Sequence, residues 1–561
     1  MKVYRYIIMV GILFLAGACD EDILDETPLD FLSPENSFTT PEDIEAALFL
    51  NYDNIRNFYD GKYFTTGHLH SATDLAMSSR GTAIPLLEDY TIDLNPTSFF
   101  VANYWNAMYS IIFNTNVILG RLDGIDYDSE DERTRHKAEA SFFRGYAYRC
   151  LVNLYGGVPI VLDEISSPKR DFVRDTKEAT VAQAISDLEF AAENLPNVSE
   201  IPSQDEGRLV NAAALHTLAE LYITSGDLDK SIAAASAVID DPNISLMTTR
   251  FGNRATDDGD PYWDLFQRNN QNRASGNTEG IYVIQTETNV PGGSTVENFT
   301  AGLSYERNYG PLYFVLKDPD GEDIFLGPTT QAGGRPVGFI RPTPYFTHTI
   351  WGNGNFDVDV RNHERNIQRD WMVDNPGSAY FGQNISDLPQ SWFDGLSAQD
   401  TLRDFFPNVT KITTKNDHPA DAILDATTGE LSPLAGKTHT DWYLMRVAET
   451  YLLRAEAYLA QGNTGLAAAD INMLRNRAGA IPVAEGDVDI DYILDERLRE
   501  LNWEEQRRMT LSRLNLLFER TVMANPTAGP TIQPFNNLFP IPFREIETNT
   551  ETVLEQNPGY N

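Results

Sequence analysis

LAELYITSGDLDKSIAAA, residues 218–235, decides the fold, because a similar stretch returns in the second half of the chain as RAEAYLAQGNTGLAAADI, residues 454–471. Each copy has an alanine next to a glutamate, then a tyrosine, a turn glycine and an alanine-rich end. The matching residues are Ala219, Glu220, Tyr222 and Gly226 in the first copy and Ala455, Glu456, Tyr458 and Gly462 in the second. Small residues let paired helices approach closely, and this pattern is typical of tetratricopeptide-like helical pairs. The sequence therefore predicts two such pairs.

Other amphipathic helices are predicted around these pairs. Thr40 can cap a helix that begins at Pro41 and ends near Phe58. A later segment, WNAMYSIIFNTN, carries apolar residues at helical spacing from Trp105 onward. Up to about residue 240, the chain is predicted to be one helix after another.

A large insertion separates the two halves of this helical scaffold. Between about residues 251 and 440, Gly, Pro, Asn and Asp are scattered and periodic helices are scarce. We therefore predict a mainly α fold, with tetratricopeptide-like pairs in a scaffold at about 41–250 and 441–561. The insertion, at about 251–440, is predicted to be loop-rich with short strands. Loops on a rigid scaffold are a common place for binding sites.

The amino terminus predicts export and lipidation. Lys2 and Arg5 precede an apolar run that is shorter than the about 20 residues needed to cross a bilayer. Residues 1–18 are therefore predicted to be a signal peptide, and LAGAC resembles the lipobox of bacterial lipoproteins, with Cys19 as the lipidated residue. Residues 19–40 are rich in acids, which cannot bind an anionic lipid surface, so they are predicted to be a solvated tether.

Composition limits the possible partners and cross-links. The 561 residues include 43 Lys and Arg against 82 Asp and Glu, and a net charge of −39 repels phosphate backbones. Nucleic acid is therefore not an expected partner. The chain has two cysteines, Cys19 and Cys150, so lipidation of the first leaves no disulfide within the chain. Cys150 is predicted to be a small core residue.

The sequence gives little indication of a metal site or a catalytic site. The segment DPDGED, residues 318–323, fails the EF-hand register, because Gly321 is fourth and Thr329 twelfth where the loop needs Gly sixth and Glu twelfth. A turn is predicted there, and TDDGD at 256–260 is similar. The sequence has no HExxH, GxSxG, P-loop or Rossmann motif, so no zinc site or cofactor is expected. Glycoside hydrolysis needs only two carboxylates, and it stays an alternative.

Several motifs in this order resemble the RagB/SusD-like family of outer-membrane nutrient-binding lipoproteins. They include the lipobox, AEASFFRGYAYRCLVNLYGGVPIV at 138–161, LMRVAETYLLRAEAYLAQGNTGLAAADINMLRNRAG at 444–479 and IPFREIETNTETVLEQNPGY at 541–560. Two departures are visible. Gly157 stands where the family commonly has Asp, and Thr510 and Leu511 stand near a usual Arg-rich Asp-Leu pattern.

The resemblance implies a non-enzymatic, mostly helical protein that is lipid-anchored on the outer face of the outer membrane. It would capture oligosaccharides and deliver them to a SusC-like TonB-dependent barrel transporter. A peptide cargo is an alternative within the same family. A helical adaptor for other proteins is a further alternative, although it leaves the aromatic residues of the insertion unexplained.

A glycan receptor needs flat aromatic surfaces and bidentate polar side chains. Aromatic residues in the Gly/Asn/Pro-rich loops of the insertion are the first candidates, namely Trp351, Phe356, Trp371, Trp392 and Tyr345. In the amino-terminal half the candidates are Asp74, Arg80 and Asn103, which the family resemblance favours, although a helix cap or a surface salt bridge is an equal alternative for them. Trp105, Trp442 and Trp503 are predicted to be core residues instead.

Overall fold

The computed structural model describes residues 38–59, 67–79, 87–290 and 302–560. The predictions for the signal peptide, for Cys19, for nearly all of the tether and for Arg80 fall outside the described residues. Within the described residues, no helix has both the length and the apolar character that a bilayer crossing requires.

Helices dominate the described chain, which confirms the predicted mainly α class. The longer helices are α1 (Pro41–Tyr59), α2 (Phe99–Arg121), α3 (Glu130–Tyr155), α4 (Lys177–Asn194), α5 (Asn211–Ser225), α6 (Leu228–Ile239), α7 (Val447–Ala460), α8 (Thr464–Arg477), α9 (Ile490–Leu501), α10 (Arg507–Arg513) and α11 (Leu517–Ala524). Short helical segments are Gly67–His70, Pro261–Leu265, Tyr305–Tyr309, Pro344–Thr347, Gln390–Gly395 and Phe543–Thr548. Helix α1 begins at the predicted Pro41 and ends one residue beyond the predicted Phe58.

The two copies of the repeated motif form two helical pairs, α5–α6 and α7–α8. Gly226 and Gly462 lie between the paired helices with φ values of 87° and 77°, a left-handed conformation that glycine adopts without strain. Helix α6 packs against α7, so the pairs are neighbours in space despite the insertion between them. Arg454 Nη1 donates to Ser236 Oγ at 3.0 Å across this contact. Helices α3 to α8 thus form one continuous array.

The insertion contributes short strands. The strands are β1 (Ala76–Ser78), β2 (Gly280–Ile284), β3 (Ile340–Pro342), β4 (Ile367–Gln368), β5 (Asn408–Val409), β6 (Ile423–Asp425), β7 (Glu430–Leu431) and β8 (Trp442–Arg446). Among the residues that the structure describes, they form four antiparallel two-stranded sheets, β1–β3, β2–β8, β4–β5 and β6–β7. The β1–β3 sheet joins the amino-terminal half to the insertion, and the β2–β8 sheet joins the insertion to the second helical pair.

Buried ion pairs also attach the insertion to the helical scaffold. Arg446, at the end of β8, donates to Glu279 at 2.6 Å, to Glu500 at 2.5 Å and to Glu504 at 2.7 Å. All four side chains are buried, and a buried charge needs such partners. The insertion is therefore attached to the helical scaffold by charge as well as by the pairing of β2 with β8.

The main hydrophobic core lies between the helices and contains the tryptophans that were predicted to be core residues. Trp105, Trp442 and Trp503 are all buried there. Cys150 is a buried free thiol in the same cluster, as predicted, and burial raises its pKa to about 11. Such a thiol is protonated at neutral pH and unreactive.

Candidate functional site

The three tryptophans proposed as ligand platforms in the insertion are buried. Trp351 is 0% exposed, Trp371 3% and Trp392 5%. Each indole Nε1 donates to a backbone carbonyl oxygen of the protein, that of Phe346 at 2.7 Å, Ala332 at 2.9 Å and Lys317 at 2.8 Å respectively. The prediction that these rings form exposed platforms is therefore wrong. Trp371 and Trp392 lie in an aromatic core that belongs to the insertion itself, and Trp351 lies in the main hydrophobic core. A sequence without helical periodicity does not reveal this burial.

Phe356 is the predicted insertion aromatic that does lie on the surface. Its side chain is 41% exposed. The guanidinium carbon of Arg369 lies 5.1 Å from the ring centroid, and the His348 ring stacks beside it with centroids 6.5 Å apart. An exposed ring next to a planar donor is the kind of surface on which a sugar can stack. The assignment of Phe356 to the ligand site stays a prediction.

Asp74 and Tyr345 are brought together, but in a buried ion cluster. Asp74 is fully buried and accepts hydrogen bonds from Arg507 at 2.8 and 2.6 Å and from Arg520 at 2.9 Å. The Tyr345 hydroxyl donates to Asp495 at 2.8 Å, and Arg520 donates to the same carboxylate at 2.5 Å. Burial alone would raise the pKa of Asp74, but the two guanidinium charges outweigh it and lower the pKa to about 2. Asp74 therefore stabilises the fold through these ion pairs. Because its side chain is fully buried, the prediction that it contacts a ligand is wrong.

Shortly after Asp74, strand β1 meets the insertion at the β1–β3 sheet. Met77 of β1 pairs with Arg341 of β3, and Ser79 N donates to Phe339 O at 3.0 Å. We call the group of Ser78, Ser79, Glu88, Phe339 and Arg341 the strand-edge face. Glu88 and Arg341 are half-buried, and the other three residues are buried. Arg80, one of the predicted residues, follows Ser79 directly in the chain. The strand pairing therefore brings residues 76–79 beside the insertion, as a shared ligand surface requires.

The strand-edge face offers both a donor and an acceptor. Arg341 is half-buried, and its Nε has no hydrogen-bond partner among the described residues, while its Nη1 donates weakly to Thr401 O at 3.4 Å. Burial raises the pKa of Glu88, against the effects of a hydrogen bond from Ser78 and the charge of Arg341. A guanidinium and a carboxylate side by side can bind adjacent hydroxyl groups of one sugar.

Asn103, the remaining described candidate, is exposed on helix α2. It shares a stripe of exposed residues with Asn106, Ser110 and Phe113, which are spaced three or four positions apart. Further along α2 this stripe borders a groove of about 660 Å³, which we call the α2 groove. Its lining includes Leu50, Asn54, Trp105, Asn106, Tyr109, Phe113, Val161, Phe172, Glu545 and Leu554. Sequence reasoning missed this groove, although Phe113, which is 51% exposed, lies on the opposite side of α2 from the buried residues.

Most polar groups in the α2 groove are already bonded within the protein. The Tyr109 hydroxyl donates to Pro159 O at 2.7 Å, and Asn116 Nδ2 donates to Val161 O at 2.9 Å. Asn549 Oδ1 accepts a hydrogen bond from Phe172 N, and Asn549 Nδ2 donates one to Phe172 O, both at 2.8 Å. The groove therefore offers mainly apolar surface and few free groups for hydrogen bonding to a ligand.

The acidic loop that superficially suggests calcium is a turn, as predicted. Gly321 N donates to Asp318 O at 3.0 Å, and Asp318 Oδ1 accepts from the backbone nitrogens of Asp320 and Glu322 at 3.0 Å each. Its carboxylate is thus used by the turn itself. Among the residues that the structure describes, no group of three His, Cys, Asp or Glu side chains could hold a metal ion.

Two family models match the chain at its two ends. Residues 29–223 match a SusD-like model described as "Starch-binding associating with outer membrane", and residues 425–560 match the SusD family model. The sequence is 25% identical to SusD-like protein P25 of Formosa agariphila over the whole of both chains. It is 35% identical to the starch-binding protein SusD of Bacteroides thetaiotaomicron over 22% of each chain.

Solved structures share the fold along nearly the whole chain. A laminarin-binding SusD-like protein superposes with a TM-score of 0.66 at 22% identity, covering 93% of this chain and all of the other. Surface glycan-binding protein A from Bacteroides thetaiotaomicron, solved with laminarihexaose, gives a TM-score of 0.63 at 18% identity over 92% of this chain and all of the other. At these identities the likeness establishes the architecture alone.

Proposed function

We propose that this chain, which belongs to the RagB/SusD-like family, is a lipid-anchored glycan receptor of the outer membrane that delivers oligosaccharides to a SusC-like barrel transporter. The relatives support this proposal, since their names describe starch binding and laminarin binding. We propose no catalytic step, because the names of the relatives describe binding proteins.

The glycan is proposed to bind at the strand-edge face. The observation that carries this proposal is the β1–β3 pairing, which brings the segment before Arg80 against the insertion next to Arg341. The unpartnered Nε of Arg341 would then donate to a sugar hydroxyl, and the Glu88 carboxylate would accept from another. Arg80 and Asn103 are proposed as further polar contacts, and Phe356 as a stacking surface for a longer ligand.

Affinity electrophoresis tests the proposal with the intact mature protein and a panel of polysaccharides that includes starch and laminarin. We expect at least one polysaccharide to retain the protein, with no release of reducing sugar. Arg341→Ala should weaken retention about 10- to 100-fold, because hydrogen bonds from a charged group contribute about 1.5–3 kcal/mol. The matched control is Arg365→Ala, since Arg365 is an insertion arginine that pairs with the exposed Asp258.

Other results would point to the alternatives. Retention by peptides and by no polysaccharide would favour the peptide-binding role. Release of reducing sugar would favour a hydrolase. Equal retention of the Arg341→Ala variant and the wild type would reject the strand-edge face as the glycan site.

Anchoring and transporter delivery need separate measurements in the native bacterium. Cys19→Ser should move the protein out of the outer-membrane fraction, because two or more acyl chains on one cysteine hold a protein far more stably than a single chain does. A barrel transporter should co-purify with the wild-type protein after mild detergent extraction. Persistence of the Cys19→Ser variant in the outer membrane would contradict the lipid anchor.

A further inference from the structure

A small polar cavity lies inside the protein, where the amino-terminal helices meet the carboxy-terminal ones. It offers about 30 Å³ to the centres of water molecules. Helix α3 contributes Tyr146 and Arg149 to its lining, and α5 contributes Glu220. The opposite side is formed by the turn between α9 and α10, residues 502–506, which we call the α9–α10 turn.

Gln506, at the end of this turn, lines the cavity with an unpartnered amide. Its side chain is 7% exposed, and neither Nε2 nor Oε1 has a hydrogen-bond partner among the described residues. Buried amide groups are nearly always bonded, either to protein or to ordered water. A glutamine with both ends unbonded therefore indicates that a small polar ligand belongs in the cavity.

The same turn carries a second, independent anomaly. Trp503 has a φ of 64°, a left-handed conformation that is an outlier for so large a residue. Its ring stacks on Tyr309 with centroids 4.5 Å apart, which holds the conformation in place. The turn is therefore held in a strained backbone by packing, and this geometry keeps Gln506 next to the cavity.

The charges around the cavity leave no requirement for an ion. Arg149 Nε donates to Glu220 at 2.9 Å, and Glu504 accepts from Lys411 at 2.6 Å. The acids here are thus already paired with cations, and the described residues hold no metal-ligating group of three side chains. One N–H group does remain underused, because Arg149 Nη1 donates only to the Met509 sulfur at 4.0 Å. A small neutral molecule that can both donate and accept hydrogen bonds therefore fits the free groups of Gln506 and Arg149.

We propose that the cavity binds two ordered water molecules that link Gln506 to Arg149 of helix α3. A bound water needs about 10–15 Å³ of such volume and two to four polar partners, so 30 Å³ accommodates two. The Gln506 amide and Arg149 Nη1 both belong to residues that line the cavity, and together they provide donors and an acceptor for these waters. The proposal is independent of the proposed glycan function.

These waters stabilise the support of the strand-edge face. The residue before Gln506, Glu505, accepts from His70 Nε2 through its carbonyl oxygen at 2.9 Å. The residue after it, Arg507, holds Asp74. Hydration of the cavity therefore fixes the turn from which both contacts to the amino-terminal segment arise.

A high-resolution crystal structure of the wild-type protein tests the proposal directly. We expect two density peaks in the cavity, within about 2.7–3.2 Å of Gln506 Nε2 and Oε1. An empty cavity with the Gln506 amide bonded directly to protein atoms would overturn the proposal. A single peak with several oxygen ligands at about 2.3–2.6 Å would also overturn it, since such distances indicate a cation.

Magnetic relaxation dispersion of water provides the solution test. Gln506→Met, which keeps the length of the side chain without its hydrogen bonds, should lose two long-lived water molecules relative to the wild type. Gln390→Met is the control, because Gln390 is exposed and bonds Asp394 at the surface. An unchanged count in a folded Gln506→Met protein would refute the proposal, and if that variant fails to fold, the wild-type crystal structure decides alone.

Discussion

Replacing Asp74 by asparagine separates a structural role from a ligand-binding one. The substitution keeps the shape of the side chain but removes the buried carboxylate shared by Arg507 and Arg520. Removing one partner of a buried ion pair costs about 3–5 kcal/mol in the free energy of unfolding. The pKa of Asp74 gives a consistent lower figure, since a decrease from 3.8 to about 2 corresponds to about 2–3 kcal/mol at 1.36 kcal/mol per unit.

Urea unfolding of the wild type and of Asp74→Asn at several pH values measures this effect. A depressed carboxyl pKa stabilises the folded state above the unfolded pKa, and the contribution is lost as pH falls through the folded one. The difference between the two proteins should therefore be largest at neutral pH and should shrink below about pH 4 towards pH 2. Equal stability at neutral pH, together with weaker glycan retention by Asp74→Asn, would refute the structural role and restore Asp74 as a ligand contact.

Three further substitutions test the assignments around the site and the scaffold. Trp351→Ala should lower the free energy of unfolding by about 3–5 kcal/mol, because it empties a fully buried site; unchanged urea unfolding would contradict its burial. Phe356→Ala should leave urea unfolding nearly unchanged and weaken glycan retention by about 0.5–1.5 kcal/mol in affinity electrophoresis, and equal retention would remove Phe356 from the site. Gly157→Ala should destabilise the protein by about 1–3 kcal/mol in thermal unfolding, because the new Cβ would lie 2.1 Å from Asp175 O. A melting curve equal to that of the wild type would show that the backbone there can move to admit the Cβ.

The close backbone contact at Gly157 also explains a departure from the family pattern. The family resemblance implies Asp at position 157, and the sequence alone gives no reason why this chain has glycine there. In the structure, the backbone at residues 175–177 passes so close to Gly157 that any side chain there would collide with it. Glycine is required by the course of this chain between α3 and α4.

The helical part of the fold could be predicted from sequence because its signals are local. The spacing of Ala219, Tyr222 and Gly226, and its repetition at Ala455, depends on contacts between neighbouring turns of a helix pair. The core tryptophan Trp105 likewise lies on a periodic helical face. In these cases the residues that explain the pattern are close together in the chain.

The candidate site was predicted less well, for the opposite reason. Trp351 stands in a Gly- and Asn-rich stretch that resembles an exposed loop, but it is buried in the main hydrophobic core. Asp74 is a residue type that often contacts ligands, but the two arginines that bind it lie 433 and 446 positions further along the chain. The strand-edge face follows from the pairing of β1 with β3, and three-residue strands leave too little pattern for a register to be predicted.

The Asp74 ion cluster has a consequence for how the molecule is made. A chain that emerges amino end first presents Asp74 long before Arg507 and Arg520 exist beside it. Contacts at such separations form slowly, because a very long loop must close first. The amino-terminal half therefore cannot finish folding on its own, and a polypeptide truncated before α10 would carry a buried, uncompensated carboxylate. The last fifty or so residues, which contain Arg507 and Arg520, therefore supply the contacts that complete the fold of the amino-terminal half.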